Sequence, residues 1–351
     1  MNEVDISEQE LLEKYPSVLR ELLVDRTRTA HDISKMRRDG VSVPHDFQRN
    51  IIWATSSYFA EKGEGFGERD EITEEKVTGW NRFLVQPRAV KEKVVQRQRS
   101  RDMAEVFTPG WVCNAQNNLV DDAWFGRSGV FNREFVNDQG EHCWEAVETP
   151  IAFDEEPSPK STRSWQNYVR DLRLEITCGE APYLVHRYDS VTGCPMADLC
   201  QRIGLLDRKL RVVSENTTTT RDWLKWAKEA VKATYGFEWQ GDNLLLAREA
   251  ILFSIIDYYK DKFKKKPQAK SLPEFAEIIS WNIWQMDGLR QVLPYSCEEN
   301  PQKDMLGNPM PCMACAKGQR HGHSGIKCLI RDWSKKGDAQ IIEFESLIQD
   351  N

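Results

Sequence analysis

The stretch from Tyr235 to Tyr259, YGFEWQGDNLLLAREAILFSIIDYY, constrains this chain more than any other. A short strand ending near Glu238 leads through Gln240-Gly241 into a helix that Asp242 or Asn243 can cap. Along that helix Leu245, Leu246, Ile251, Leu252, Ile255 and Ile256 form an apolar stripe wide enough to require burial. A strand feeding a buried helix is the repeating unit of an α/β sheet, so the rest of the chain is read against that architecture. The lysines from Lys260 to Lys266 then sit where a helix C-terminus favours cations; contact with DNA is the alternative reading of the same run.

Two further strands fit the pattern. Leu174 to Ala181 reads LEITCGEA, an apolar run broken at Cys178-Gly179, where glycine lets backbone N–H groups approach a ligand; an ordinary strand-to-turn junction is the plain alternative. Helix-like segments follow at Asp222 to Ala233 and Leu272 to Ile279, and a strand from Ile279 to Gln285 ends at Asp287-Gly288-Leu289. Ligands of doubly wound sheets lie outside the carboxyl ends of the strands. The Gly179 turn, Glu238 and Asp287 would therefore cradle a nucleoside: Glu238 on the ribose hydroxyls, Asp287 on an exocyclic amine.

Upstream, Ser7 and Glu10 stand at capping-box spacing before Leu11, Leu12, Tyr15, Leu19, Leu22 and Leu23, which predict short helices interrupted near Pro16. A glycine-rich turn lies at Gly63 to Gly67. The basic segment Lys91 to Arg101 is a solvated helix face or, alternatively, a phosphate contact, and residues 154–164 form a loop or domain junction. With 351 residues, 40% hydrophobic and 29% charged, the chain can build one large or two medium globular domains. Its net charge of -7 confines any nucleic-acid contact to local basic patches. The N-terminus lacks the charge and apolar run of a secretory signal, and no apolar stretch approaches a membrane span, so a cytoplasmic location without membrane association is expected.

Nine cysteines in such a chain point to reduced thiols or metal ligands, and Cys297, Cys312, Cys315 and Cys328 cluster after residue 296. Cys312-Met313-Ala314-Cys315 has zinc-knuckle spacing, with Cys328 a candidate for the second half of a tetrahedral site. The remaining ligand is Cys297, His321 or His323. Gly307, Pro309, Pro311 and Gly318 predict a loop too irregular to fold without a metal; free thiols are the alternative. Arg320 beside these histidines is a further phosphate candidate. No nucleophile elbow or triad supports a hydrolase, and no convincing carboxylate-lysine arrangement supports a restriction nuclease. Trp223, Trp226, Trp239, Trp281 and Trp284 read as core residues.

Taken in order, these parts resemble class I S-adenosylmethionine-dependent methyltransferases, and within them the adenine-N6 DNA methyltransferases of restriction–modification systems. Glu105-Val106-Phe107-Thr108-Pro109 resembles the family's F-x-T-P element, LEITCGEA its Asp-Pro-x-Cys-Gly-Ser-Gly turn, YGFEWQGDNLLLAREAIL its strand–acid–helix element, and Asn282 to Leu289 its third strand. The resemblance implies an α/β, Rossmann-like class I methyltransferase sheet, complete or lacking its later strands, over residues 105–290. Outside that span the residues themselves give an N-terminal mainly helical region at 1–104, a Cys/His-rich candidate zinc loop at 291–335 and a C-terminal segment at 336–351. The resemblance also implies an S-adenosylmethionine pocket lined by Phe107, Thr108, Pro109, Thr177, Cys178, Gly179, Glu238 and Asp287, and double-stranded DNA as the substrate.

The chain departs from the family at Glu180 and Ala181, where the turn's second glycine is missing, and in long insertions around the turn. It also lacks the catalytic Asn-Pro-Pro-Tyr loop, whose asparagine and carbonyl accept the hydrogens of the attacking amine. The segment Ala339 to Ile348 resembles the approach to the fourth strand. A strand at 172–177 with no neighbour on one side leaves an apolar edge open to pairing. The expectation is a modification-type subunit completed by a second protein chain carrying the remaining strands. A DNA- or protein-binding scaffold without activity is the alternative, and a complete enzyme with an unusual acceptor loop a third reading.

Overall fold

In a computed structural model, the described residues are 8–91, 100, 108–153, 163–189, 192–299 and 301–349. Among these residues the fold is mixed α/β, with many helices and small sheets, and one sheet of three strands in the order β3 (Arg173–Ile176), β4 (Thr234–Glu238), β5 (Ile283–Gln285). Ser7, Phe107, and most of the Lys91–Arg101 and 154–164 segments lie outside the described residues. Among the described residues no helix is long and apolar enough to cross a membrane.

The chain divides into two compact units. One comprises Gln86–Tyr235 and Leu246–Ile279; the other comprises Ser7–Val85, Gly236–Leu245 and Ser280–Asn351. The N-terminal helices α1 (Glu8–Lys14), α2 (Pro16–Leu23) and α3 (Arg26–Arg38) thus share a unit with the cysteine-rich region. Pro16 opens α2, where its missing N–H costs nothing, and the break predicted there is present. Short helices α4 (Phe59–Lys62) and α5 (Glu74–Val77) complete this N-terminal part.

In the first unit, α6 (Gly110–Phe125) ends on left-handed Gly126, and the hairpin β1 (Asn132–Val136) and β2 (His142–Ala146) pairs antiparallel in register from Asn132 opposite Ala146. Helix α7 (Trp165–Arg170) precedes β3 (Arg173–Ile176), and α8 (Leu205–Asn216) and α9 (Thr220–Lys232) lie between β3 and β4. A buried ion pair ties α6 to α8: Arg208 Nη1 donates to Asp121 at 2.7 Å, and its Nη2 donates to Asn114 and Asn118. The Tyr168 hydroxyl donates to the other Asp121 oxygen at 3.0 Å. So many partners are what permits a charge pair with both side chains about 1% exposed.

Strand β3 is inverted relative to the usual plan. Glu175 faces inward, whereas Leu172, Leu174 and Ile176 are 70%, 44% and 70% exposed. Among the described residues β3 ends the strand order, and Leu174 and Ile176 leave one of its faces as an exposed aliphatic row. At its end Thr177 and Gly179 take φ of 47° and 52°, so the turn is left-handed where the sequence places a glycine, and Cys178 is buried.

Strand β4 (Thr234–Glu238) leads into α10 (Gly241–Phe263), and α11 (Leu272–Asn282) leads into β5 (Ile283–Gln285). In the second unit β4 and β5 pair parallel, with Glu238 opposite Gln285. The predicted strand at 279–285 is shorter than expected because α11 continues to Asn282; Asn282 is buried and takes the Trp333 indole N–H at 2.8 Å. Gln285 pins this edge, accepting the Ile52 N–H at 3.0 Å and donating to the Ile52 and Trp239 carbonyls at 2.8 Å. Gly241 has no room for a side chain, since a Cβ there would lie 2.0 Å from the Ile52 carbonyl oxygen. The C-terminal segment forms β9 (Ile341–Glu343), paired antiparallel with β8 (Leu329–Arg331) in a separate two-stranded sheet, so this part does not extend the β3-β4-β5 sheet.

Candidate metal centre and the cleft beside it

Beyond β5 the chain turns at Asp287, and Val292 bridges both Asp287 and Lys327 in antiparallel fashion. This clamp brings the segment after Leu293 against the segment before β8: Leu293 N–H donates to the Ile326 carbonyl at 2.9 Å, and Ile326 N–H to Ser296 Oγ at 3.0 Å. Helix α12 (Ser296–Glu299) carries Cys297, while Cys312 caps α13 (Met313–Ala316), which carries Cys315. Between them lie the two-residue strands β6 (Gln302–Lys303) and β7 (Pro309–Met310). Gly325 is the close-approach point: a Cβ there would meet Ser296 Oγ at 2.6 Å and Cys297 Sγ at 3.0 Å.

Cys297, Cys312, Cys315 and His323 converge, with one ligand atom from each lying within 4.8 Å of all the others. From His323 Nδ1 the sulfurs of Cys315, Cys312 and Cys297 stand at 3.3, 3.6 and 3.8 Å. Tetrahedral zinc bonds to sulfur and nitrogen imply ligand–ligand edges of about 3.6 to 3.8 Å. The other ring nitrogen, Nε2, is 2.8 Å from the Gln319 carbonyl oxygen. A carbonyl only accepts, so Nε2 carries the proton and the Nδ1 lone pair faces the thiols, the tautomer a metal needs. This Cys3His cluster can hold a metal ion such as zinc.

The thiols are electrostatically unequal. Burial raises Cys312, but the Ser324 amide, 3.4 Å from its sulfur, together with Cys315 outweighs that and holds the thiol at about 5. Burial and the two neighbouring thiols push Cys297 up to about 12. One sulfur is thus a thiolate at neutral pH, and a bound cation would take the place of the proton on its neighbour.

Of the expected ligands, the structure brings together Cys297, Cys312 and Cys315 but not Cys328. Cys328, immediately before β8, is buried with its Sγ 3.6 Å from the Gln285 carbonyl oxygen, and burial raises its thiol well above the ordinary value. Its backbone instead follows the antiparallel ladder, accepting from Phe344, which turns the thiol toward the β5 side. His323 takes the fourth place, while His321 lies beside Glu345 at 3.7 Å and is half-exposed.

Three of these ligands, Cys297, Cys312 and Cys315, also line a cleft of about 700 Å³. It opens where β4 and β5 end, so Trp239 and Asp287 line it as well, with Arg290 and Tyr295. Trp239 is half-buried and meets Tyr295 edge-on at 5.3 Å between ring centroids, rather than lying in the core like Trp223, Trp281 and Trp284. Asp287 Oδ1 accepts the N–H groups of Leu289 and Arg290 at 3.0 and 3.1 Å, and its Oδ2 lies 3.5 Å from Arg290 Nε. Glu238 is buried at the end of β4, with Oε1 accepting the Gln240 N–H at 3.2 Å.

The remaining predicted cofactor residues belong to the first unit. Thr108 and Pro109 precede α6, and Pro109 lines a second cleft of about 630 Å³ with Trp111, His142, Trp144 and Asp189. Trp111 and His142 stack at 4.1 Å. The contributions of Trp239, Arg290 and Tyr295 to the metal-side cleft were not legible in the sequence, because they are set by the β4–β5 pairing and the Val292 clamp rather than by local pattern. Comparison with protein-family models, with curated proteins and with solved structures finds no match.

Proposed function

We propose that this chain is the cofactor-binding, modification-type part of a DNA adenine-N6 methyltransferase of a restriction–modification system, with zinc at its Cys3His centre. The observation that carries the reading is the sheet. Its strands follow the order β3-β4-β5, and each ends at a group suited to a nucleoside: the left-handed Thr177–Gly179 turn, Glu238, and Asp287. This is the order in which the resemblance places the first three strands of a Rossmann-like methyltransferase sheet. The cleft beside Trp239 and Asp287 supports it, since an indole and a carboxylate match an aromatic base bearing an exocyclic amine.

S-adenosylmethionine would supply the methyl group, and within the second unit Glu238 would hold its ribose and Asp287 its adenine. Transfer to adenine in double-stranded DNA further requires a group that accepts the amine hydrogens, and no Asn-Pro-Pro-Tyr loop occurs in these 351 residues. The reading therefore includes a second protein chain that brings such a loop. The exposed row of Leu172, just before β3, with Leu174 and Ile176 on one face of it supports a partner here.

The test is calorimetric titration of the purified chain with S-adenosylmethionine. Binding that is weakened at least tenfold by Glu238→Ala is expected; no binding, or binding indifferent to Glu238→Ala, refutes the cofactor reading. Metal analysis checks the zinc, with one equivalent expected and a substoichiometric amount refuting it.

A further inference from the structure

We propose that the metal centre builds one wall of the cleft at the ends of β4 and β5, so that a purine nucleoside ligand is held by the metal-loaded chain and released when the metal is withdrawn. This deepens the reading above and rests on it for the identity of the ligand.

The two walls of the cleft are held by different forces. One carries Trp239 and Asp287, which follow the paired strands β4 and β5; the strands are locked by Gln285 and by the Met286 N–H to Glu238 carbonyl bond at 3.0 Å. That wall contributes no metal ligand. The other wall is made by residues around Cys297 and by Pro309 to Cys312 with Cys315. Its secondary structure amounts to α12 and α13, four residues each, and the two-residue pair β6 and β7. Helices of one turn have not recovered the cost of their own nucleation, and a pair of such short strands does not stand alone in water.

The packing between these pieces consists largely of the ligands themselves, since Val292, Cys297, Cys312 and Ala314 form one small buried cluster with Cys315 against it. A metal bridging three thiols and His323 therefore ties α12, α13 and the 323–325 segment at one point. Without it, three sulfurs are left facing one another with nothing to join them. Because those sulfurs line the cleft, loss of the tie is loss of the wall. The occupant is defined by the wall that stays: the Trp239 ring for a flat base, the Asp287 carboxylate for amine hydrogens, and Arg290 as a nearby cation.

Equilibrium dialysis with S-adenosylmethionine, and separately with adenosine, on zinc-loaded, chelator-stripped and zinc-restored protein tests the proposal. The stripped chain is expected to bind at least tenfold more weakly, with affinity recovered on adding zinc. Equal affinity in the loaded and stripped forms overturns the proposal and leaves the cofactor reading standing. No binding of either probe to the zinc-loaded chain overturns both. Hydrogen exchange provides a second readout that needs no ligand. Stripping should expose the amides of 309–316 while those of α10 stay protected; unchanged protection at 309–316, or loss of protection in both together, overturns the proposal.

Discussion

Replacing Gly325 by alanine is the most direct test of how the metal centre is assembled. The added methyl would sit 2.6 Å from Ser296 Oγ, 3.0 Å from Cys297 Sγ and 3.0 Å from Val292 Cβ, against the 3.4 Å at which ordinary contact begins. Ser296 cannot simply turn aside. Its hydroxyl donates to the Leu293 carbonyl at 2.7 Å and accepts from Ile326 N–H at 3.0 Å, so moving it takes the acceptor from the part-buried Ile326 N–H and one of two donors from the Leu293 carbonyl. Val292 is held by its bridges to Asp287 and Lys327. The movable element is α12, and moving it carries Cys297 away from the other ligands. Overpacking of this kind costs about 1–3 kcal/mol. At 2–4 °C per kcal/mol that is a fall in melting temperature of roughly 2–12 °C. Because metal–ligand distances tolerate only about 0.2 Å, zinc affinity should fall at least tenfold. Competition with a chromophoric chelator measures the affinity, and thermal melts with zinc and with chelator measure the stability. A Gly325→Ala chain that keeps both parental zinc affinity and parental melting temperature would refute the assembly described here.

Three other outcomes follow from separate parts of the molecule. His323→Cys should retain one zinc, whereas His323→Ala should lose at least a hundredfold in affinity and Cys328→Ala should leave the metal stoichiometry unchanged; metal analysis after dialysis distinguishes the three. Arg208→Met should cost about 3–5 kcal/mol by leaving Asp121 buried without its main cation, with Arg173 at 3.6 Å and Tyr168 holding the loss toward the lower end; urea denaturation showing under 1 kcal/mol would contradict this. Burial raises the Asp207 carboxyl from 3.8 to about 6, against the pull of Arg202 and the His186 N–H. A folded-state value above the unfolded one favours the native state below pH 4, and that contribution is lost as pH rises through 6. Asp207→Asn should therefore gain about 3 kcal/mol on the parent between pH 4 and pH 7, and parallel stability–pH curves for the two proteins would exclude Asp207 as the source.

The elements that were legible in the sequence are those specified by local pattern. The strand ending at Glu238, the helix from Gly241 and the helix break at Pro16 all follow from apolar periodicity and the special backbone needs of Gly and Pro. The inward-facing polar side of β3 was not legible, because it depends on the distant partners of Glu175 and Arg173, including the Tyr183 N–H and Asp121. The metal set was legible in kind but not in membership. A Cys-x-x-Cys pair announces two ligands wherever it occurs, yet the choice between His323 and Cys328 is made by long-range pairing. The β8–β9 ladder holds Cys328 on the β5 side, and the Gln319 carbonyl aims His323. The same long-range pairing places Trp239 in a cleft, although its neighbours along the chain are buried.

Strand β3 has a practical consequence for anyone who makes this protein. A strand that turns Glu175 inward and presents Leu172, Leu174 and Ile176 to solvent offers other molecules a template of backbone groups and aliphatic side chains. Expressed by itself, the chain should self-associate as its concentration rises, and light scattering should register this before any loss of helical signal. Leu172→Lys with Ile176→Glu should restore monodispersity, and the second chain proposed above should do the same on co-production without mutation. Solubility on co-production is thus an assay for that proposed second chain.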